Sequence, residues 1–167
     1  EGTCSDAYLA EKSGVYGEKL VLYATHMGFG TCWVGGSFDR QTLSSVFTPE
    51  KRLVCVITIG PVHEDPGMKE QVLRHFNRCN TTPLDALYTA DETPHDWFMR
   101  GIHAVAIAPS TLNRKPVHCT YKNGEVVARV PEETEDNLVD LGIAKLHFAL
   151  AAGGGFPLGD GAVFHKE

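Results

Sequence analysis

The sequence predicts an α+β fold, with helices packed around a central mixed or antiparallel sheet. Three observations carry this reading. Leu53-Val54-Cys55-Val56-Ile57-Thr58-Ile59 is a nearly continuous apolar, largely β-branched run, which suggests a strand covered on both faces. Asn123-Gly124 lies between two β-prone runs, 117–122 and 125–130, and is a strong hairpin signal. Residues 136–152 are apolar at Val139, Ile143, Leu146 and Leu150 and again at Leu141, Ala144 and Phe148. A surface that wide predicts a central, mostly buried helix.

The other elements follow in order. Residues 15–27 read as a helix, because Tyr16, Leu20, Tyr23 and Met27 recur at helical spacing and share one face. Gly28 stops that helix. The glycine- and aromatic-rich stretch from Phe29 to Ser37 reads as a loop, and Asp39 can cap a short helix over 40–47. Gly60-Pro61 ends the apolar strand. Residues 67–78 suggest a basic amphipathic helix with Met68, Val72 and Phe76 on one side and Lys69, Arg74, His75 and Arg78 elsewhere. Residues 79–94 carry prolines, threonines and acids without a period and read as a surface connection between two halves. A helix over 95–108 places Phe98, Ile102 and Val105 on one face and ends at Pro109. Gly153-Gly154-Gly155 ends the last helix. The expected organisation is a single domain over 1–167.

Composition excludes several function classes. Apolar residues make up 43% and charged residues 22%, which is globular rather than disordered. A net charge of −6 gives no general attraction to nucleic acid or anionic membrane. No apolar run approaches the roughly 20 residues that span a bilayer. The opening Glu1-Gly2-Thr3-Cys4-Ser5-Asp6 is no signal peptide, and the expectation is a cytoplasmic protein. It lacks a methionine, which suggests a processed or truncated product. Five cysteines without a Cys-x-x-Cys pair point to a reducing compartment and no structural zinc. The eight histidines show no His-x-x-x-His spacing, so no metal site is expected; His63-Glu64-Asp65 reads as a solvated loop.

Gly28-Phe29-Gly30-Thr31-Cys32-Trp33-Val34-Gly35-Gly36 is the most unusual segment. A dinucleotide fingerprint would have to follow a strand, whereas this segment follows a helix and has Trp33 in the third glycine's place. A P-loop would need a lysine where Gly36 stands. A cysteine-protease reading of Cys32-Trp33 lacks the local signature and a base. An ordinary glycine turn with Trp33 in the core competes with a ligand-binding loop. The second polar segment, Ala108 through Pro116, offers a hydroxyl, an amide and two cations near exposed backbone. It reads either as an ordinary turn or as a site for a heteroaromatic ring edge.

Taken together these blocks resemble the flavin-dependent nitroreductase superfamily, in the branch whose single chain carries two related halves. The carrying residues are Tyr16 through Thr25, Met27 through Gly36, Ile59-Gly60, Ala108-Pro109-Ser110 with Asn113, and Asp140-Leu141-Gly142-Ile143. The resemblance implies a noncovalent FMN, with NAD(P)H as electron donor and a nitroaromatic, quinone or related small molecule as acceptor in a ping-pong cycle. The flavin would do the redox chemistry, so no protein acid, base or nucleophile is expected. Carried over, Gly30, Thr31, Cys32, Trp33, Val34 and Gly35 run along the flavin ring, and Pro109, Ser110 and Asn113 contact it. Lys115 stands where the family pattern has glutamine, and would bring a cation to the ring's pyrimidine edge. Val117 stands where tryptophan is usual. The arginine- and serine-rich opening that binds the FMN phosphate in this family is missing, and Arg74, with Lys69 and Arg78, is the substitute the chain offers. A homodimer or a missing N-terminal segment is the implied partner. The alternative is a non-catalytic flavin-binding fragment or module.

Overall fold

The structure, a computed structural model, describes residues 2–35, 38–44, 48, 50–62 and 82–167. In chain order its elements are β1 (Gly2–Thr3), α1 (Leu9–His26), β2 (Phe29–Val34), α2 (Arg40–Ser44), β3 (Lys51–Arg52) and β4 (Val56–Pro61). A 3-10 turn at Leu84–Leu87 then leads into β5 (Tyr88–Ala90), α3 (Asp96–Ile107), β6 (His118–Lys122), β7 (Glu125–Arg129), α4 (Glu135–Ala152), β8 (Gly154–Gly155) and β9 (His165–Lys166). The helix expected over 67–78, with Lys69, Arg74 and Arg78, lies outside the described residues.

Helices α1 and α4 cross in backbone contact. A Cβ added at Gly14 would stand 2.1 Å from the Val139 carbonyl oxygen, and one added at Gly142 would stand 2.1 Å from the Glu11 carbonyl oxygen. The pattern is reciprocal. Gly14 also faces the Ile143 nitrogen and Gly142 faces the Val15 nitrogen, so a local twofold relates the helices where they meet.

This approach decides which face of α1 turns inward. Its buried positions are Leu9, Ala10, Glu11, Gly14, Glu18, Val21 and Ala24. The stripe expected to pack, Tyr16, Leu20, Tyr23 and Met27, faces outward, with Tyr16 66% and Tyr23 63% exposed. Bulky side chains would hold the two backbones apart, so the small and hydrogen-bonded face is the one that fits. Helix α4 is buried at Val139, Leu141, Ile143, Ala144, Leu146 and Phe148, as its composition predicts, but Leu150 is turned out. Thr134 caps it by accepting from Asn137 N.

On the other side of α4 lies α3, where Phe98, Ile102 and Val105 are buried. They join Leu87, Tyr121, Val126, Phe148 and Phe164 in the main core, under a sheet in which β5 runs parallel to β6 and β6 antiparallel to β7. Asn123 and Gly124 form the β6–β7 turn at φ 50° and 76°, a conformation glycine adopts without strain. The 79–94 connection is more ordered than its composition suggests, since it contributes β5 and the buried Leu87.

Two expectations about strands are corrected. The Phe29–Ser37 stretch is not all loop: residues 29–34 form β2, antiparallel to β4, with Gly30 opposite Gly60. Alternating Phe29, Thr31 and Trp33 are β-formers that outweigh the one glycine among them. The 53–59 run is not a central strand covered on both faces. The strand is β4, Val56–Pro61, in a two-stranded sheet with Thr58 and Ile59 exposed, while Val54 is buried just before it. Among the described residues the sheet is divided into four small sheets. Asp39 caps α2 as expected, accepting from the Gln41 and Thr42 nitrogens.

Buried charge fastens the chain's end to the helix pair. Lys145, 3% exposed at its side chain, donates to Glu11 Oε1 at 2.6 Å and to the carbonyls of Pro157 and Gly159 at 3.1 and 2.7 Å. Glu11 Oε2 accepts from Gly159 N at 2.6 Å. All three ammonium donors are thereby used.

Gly142→Ala should lower stability by about 1–3 kcal/mol, because its methyl meets backbone that cannot yield. Helix propensity alone would raise stability by about 1 kcal/mol, so the sign discriminates. Urea unfolding of the two chains decides it; an equal or more stable variant would show that the helices are not pressed together at this point. A second expectation concerns the lock. Lys145→Met leaves Glu11 buried and uncompensated and should cost roughly 3–5 kcal/mol. Glu11→Leu added to it should recover part of that loss, and a purely additive double variant would mean the pair is not coupled.

Candidate functional site

A cavity of about 420 Å³ opens between the end of β2 and the turn that follows α3. Trp33, Val34 and Gly35 form one wall, continued by Val54 and Cys55. Pro109, Ser110, Thr111 and Leu112 form the other. Asp136, Val139, Asp140 and Ile143, one stripe of α4 at helical spacing, make the floor. The walls are largely apolar, and hydroxyl and carboxyl groups gather along one side. That is the usual construction of a small-molecule site.

The turn after α3 is tightly specified. Ala108 leaves the helix with ψ 141°, as the residue before a proline must. Leu112, Asn113 and Lys115 all have φ between 50° and 56°, the left-handed region that non-glycine residues adopt at some cost. Hydrogen bonds hold them there. Asn113 N donates to Ser110 O at 2.9 Å, and Lys115 N donates to Ser110 Oγ at 3.0 Å. From below, the Asp140 carboxylate accepts from Thr111 N at 2.9 and 3.1 Å and from Thr111 Oγ1 at 3.3 Å. The floor helix thus fixes the wall.

Asp140 is 2% exposed. Burial pushes its carboxyl up to about 6; the Thr111 hydrogen bonds and the Arg114 charge hold it back, and Asp136 adds to the rise. Lys115 is affected in the opposite sense, since burial pulls its ammonium below the ordinary value and Asp140 opposes that.

On the opposite wall, the Trp33 indole lies over Gly17 of α1. A Cβ there would stand 2.4 Å from the indole Cη2. Its Nε1–H donates to Glu18 Oε2 at 3.0 Å, and Glu18 Oε1 pairs with His147 Nε2 of α4 at 2.8 Å.

Comparison with known proteins now bears on this arrangement. The family model described as "Putative TM nitroreductase" matches residues 4–152. The chain belongs to this nitroreductase family. A crystal structure from Thermotoga maritima, of a protein described as "a putative nitroreductase", matches with a TM-score of 0.65 at 22% identity, over 97% of this chain. At that identity it shows the nitroreductase fold alone. This chain spans 66% of that protein's length. No match was found among curated proteins.

In this chain the two segments singled out from sequence meet across one cavity, although some seventy residues separate them along the chain. Trp33, Val34, Gly35, Pro109 and Ser110 line it. Gly30, Thr31 and Cys32 sit further back in β2, paired with Gly60, Ile59 and Thr58, and do not line it. Asn113 lies within the turn behind Leu112. Lys115 does not line the cavity; its ammonium turns back onto the Ala108 carbonyl. Arg74 lies outside the described residues. Sequence reasoning missed the floor. Val139 and Ile143 were read as core, and the spacing of 136, 139, 140 and 143 along one stripe was the available signal. Among the described residues no group of three or more His, Cys, Asp and Glu could hold a metal ion. Nor, among them, is any helix long and apolar enough to cross a membrane.

Asp140 yields a pH prediction. Its folded value lies above the unfolded one, so its contribution to stability is complete below about pH 4 and is lost as pH rises through about 6. Relative to Asp140→Asn, the parent chain should therefore weaken by on the order of 2–3 kcal/mol between those limits. Denaturant midpoints at pH 4, 5, 6 and 7 measure this; parallel profiles for the two proteins would contradict it.

Proposed function

We propose that this chain is an FMN-dependent oxidoreductase of nitroreductase type, holding the flavin ring in the cavity between the Trp33 wall and the Pro109–Leu112 turn. The observation that supports it best is the convergence of those two segments on an apolar slot with a polar side. When bound, the flavin supplies the chemistry of accepting hydride from NAD(P)H and passing electrons to a nitroaromatic, quinone or related acceptor.

The chain's own residues fit the ring. Trp33, Val34, Val139, Ile143 and Leu112 offer apolar surface to the faces of a planar heterocycle. The Ser110 hydroxyl oxygen accepts from Lys115 N, which leaves its hydrogen to donate into the cavity. Thr111 is turned by Asp140 so that its backbone follows the cavity edge. The phosphate fits less well. Among the described residues no lysine or arginine lines the cavity, and Asp136 and Asp140 place acid there. A phosphate dianion is best held by arginine forks, so it would lie outside this slot. In this reading the ring supplies most of the affinity.

The test is direct. Concentrated protein reconstituted with FMN should be yellow after desalting, and NAD(P)H should bleach it without air. Riboflavin should bind within about tenfold of FMN, a difference of roughly one charged hydrogen bond or less. Yellow protein that NAD(P)H does not bleach would make the chain a flavin-binding module. Protein that takes up neither ligand would refute the flavin reading, and a thousandfold preference for FMN would show a complete phosphate site.

A further inference from the structure

Two polar contacts of one buried carboxylate join three elements at the cavity, and the chemistry proposed above uses neither. Glu18 is 1% exposed, and its partner on α4 is His147 where Glu11 has Lys145. One carboxylate oxygen takes the Trp33 indole N–H from β2, and the other takes His147 from α4. A buried carboxylate is costly unless both oxygens are engaged, so this one is held in a single orientation. Gly17, the residue before it, leaves the space that the indole fills.

The geometry has a consequence for the cavity. Trp33 is its largest wall residue, and the floor belongs to α4. Strand β2 itself is a ribbon paired only with β4 among the described residues, and it is half exposed. It is a poor reference for a wall that must face a helix at fixed width. The Glu18 carboxylate supplies that reference, because its other oxygen is fixed to the helix that makes the floor.

We propose that Glu18 is a positioning residue that sets the Trp33 indole in the cavity wall and so sets the width of the slot that receives the ring. The ring itself rests on the flavin reading; the setting of the indole does not.

Nitrogen-15 spectra of the full chain separate the two tryptophan indole N–H signals, and Trp33→Phe assigns them. Glu18→Gln keeps an acceptor for the indole. It should leave the Trp33 signal near its parental position and riboflavin affinity within about threefold. Glu18→Ala should move the Trp33 signal to that of an unbonded indole, leave the Trp97 signal in place, and weaken riboflavin binding by about tenfold or more. A merely structural Glu18 would lower the melting temperature in both variants without this selective movement. The proposal is overturned if Glu18→Ala leaves the Trp33 signal unmoved, or moves it with no loss of affinity. Should Glu18→Ala not fold, Trp33→Phe keeps the Glu18–His147 contact and removes only the tethered N–H and ring. It should show the same loss of affinity, and parental affinity there overturns the proposal. A parent chain that binds no riboflavin would refute the flavin reading, while the indole signals still decide the positioning.

Discussion

Two glycines bring the backbones of α1 and α4 into contact, and the layout of the chain depends on that approach. With Gly14 and Gly142 at the crossing, neither helix can present a large side chain to the other. What remains at the junction is small residues and backbone, flanked by acids and bases long enough to reach across. Glu11 meets Lys145 on one side of the crossing and Glu18 meets His147 on another. The first pair is buried and the second partly so, and each carries a third element: the 157–159 segment for the first, Trp33 for the second. The polar groups are therefore less a source of net stability than a means of specifying where loops attach to a closely packed helix pair.

The cavity inherits its shape from this arrangement. Its floor is the first half of α4, on either side of the crossing glycine, and one wall is the strand that follows α1. The other wall is anchored from the floor through Asp140 and Thr111. Three non-glycine residues in the left-handed region would not persist in an unsupported turn. Their strain is offset because Asp140 and Ser110 together use the turn's donors. A carboxylate buried for this purpose is an expensive anchor, and its raised proton affinity records that cost.

Much of this was legible in the sequence, for reasons that differ by element. The β6–β7 hairpin followed from Asn-Gly, whose turn needs two positive φ angles. The burial of α4 followed from an apolar surface too wide for a one-sided helix. The meeting of the Trp33 segment and the Pro109 turn followed from resemblance, not from any local pattern. The errors have a common physical source. Helix α1 contains both a bulky apolar stripe and a small-residue stripe, and periodicity cannot tell which one a partner will accept. The bulky stripe won on hydrophobicity, but the partner's glycine required the small one. Strand β2 was masked by its glycine, and β4 was read as central because its mate was unknown. Glu18 could not have been paired with Trp33 or His147 from spacing, since fifteen and one hundred and twenty-nine residues separate them. Its only sequence signal was an acid on the side of α1 opposite the bulky stripe.

The reciprocal contacts at the crossing also give the helix pair a symmetry of its own. Gly14 meets α4 as Gly142 meets α1, so the two helices are arranged like the blades of scissors with the pivot between them. On one side lies the open cavity, between the beginning of α4 and the strand after α1. Near the beginning of α1, Lys145 and Glu11 tie the two helices to the segment of Pro157 and Gly159. The ion pair that fastens the 157–159 segment contributes no atom to the lining of the cavity.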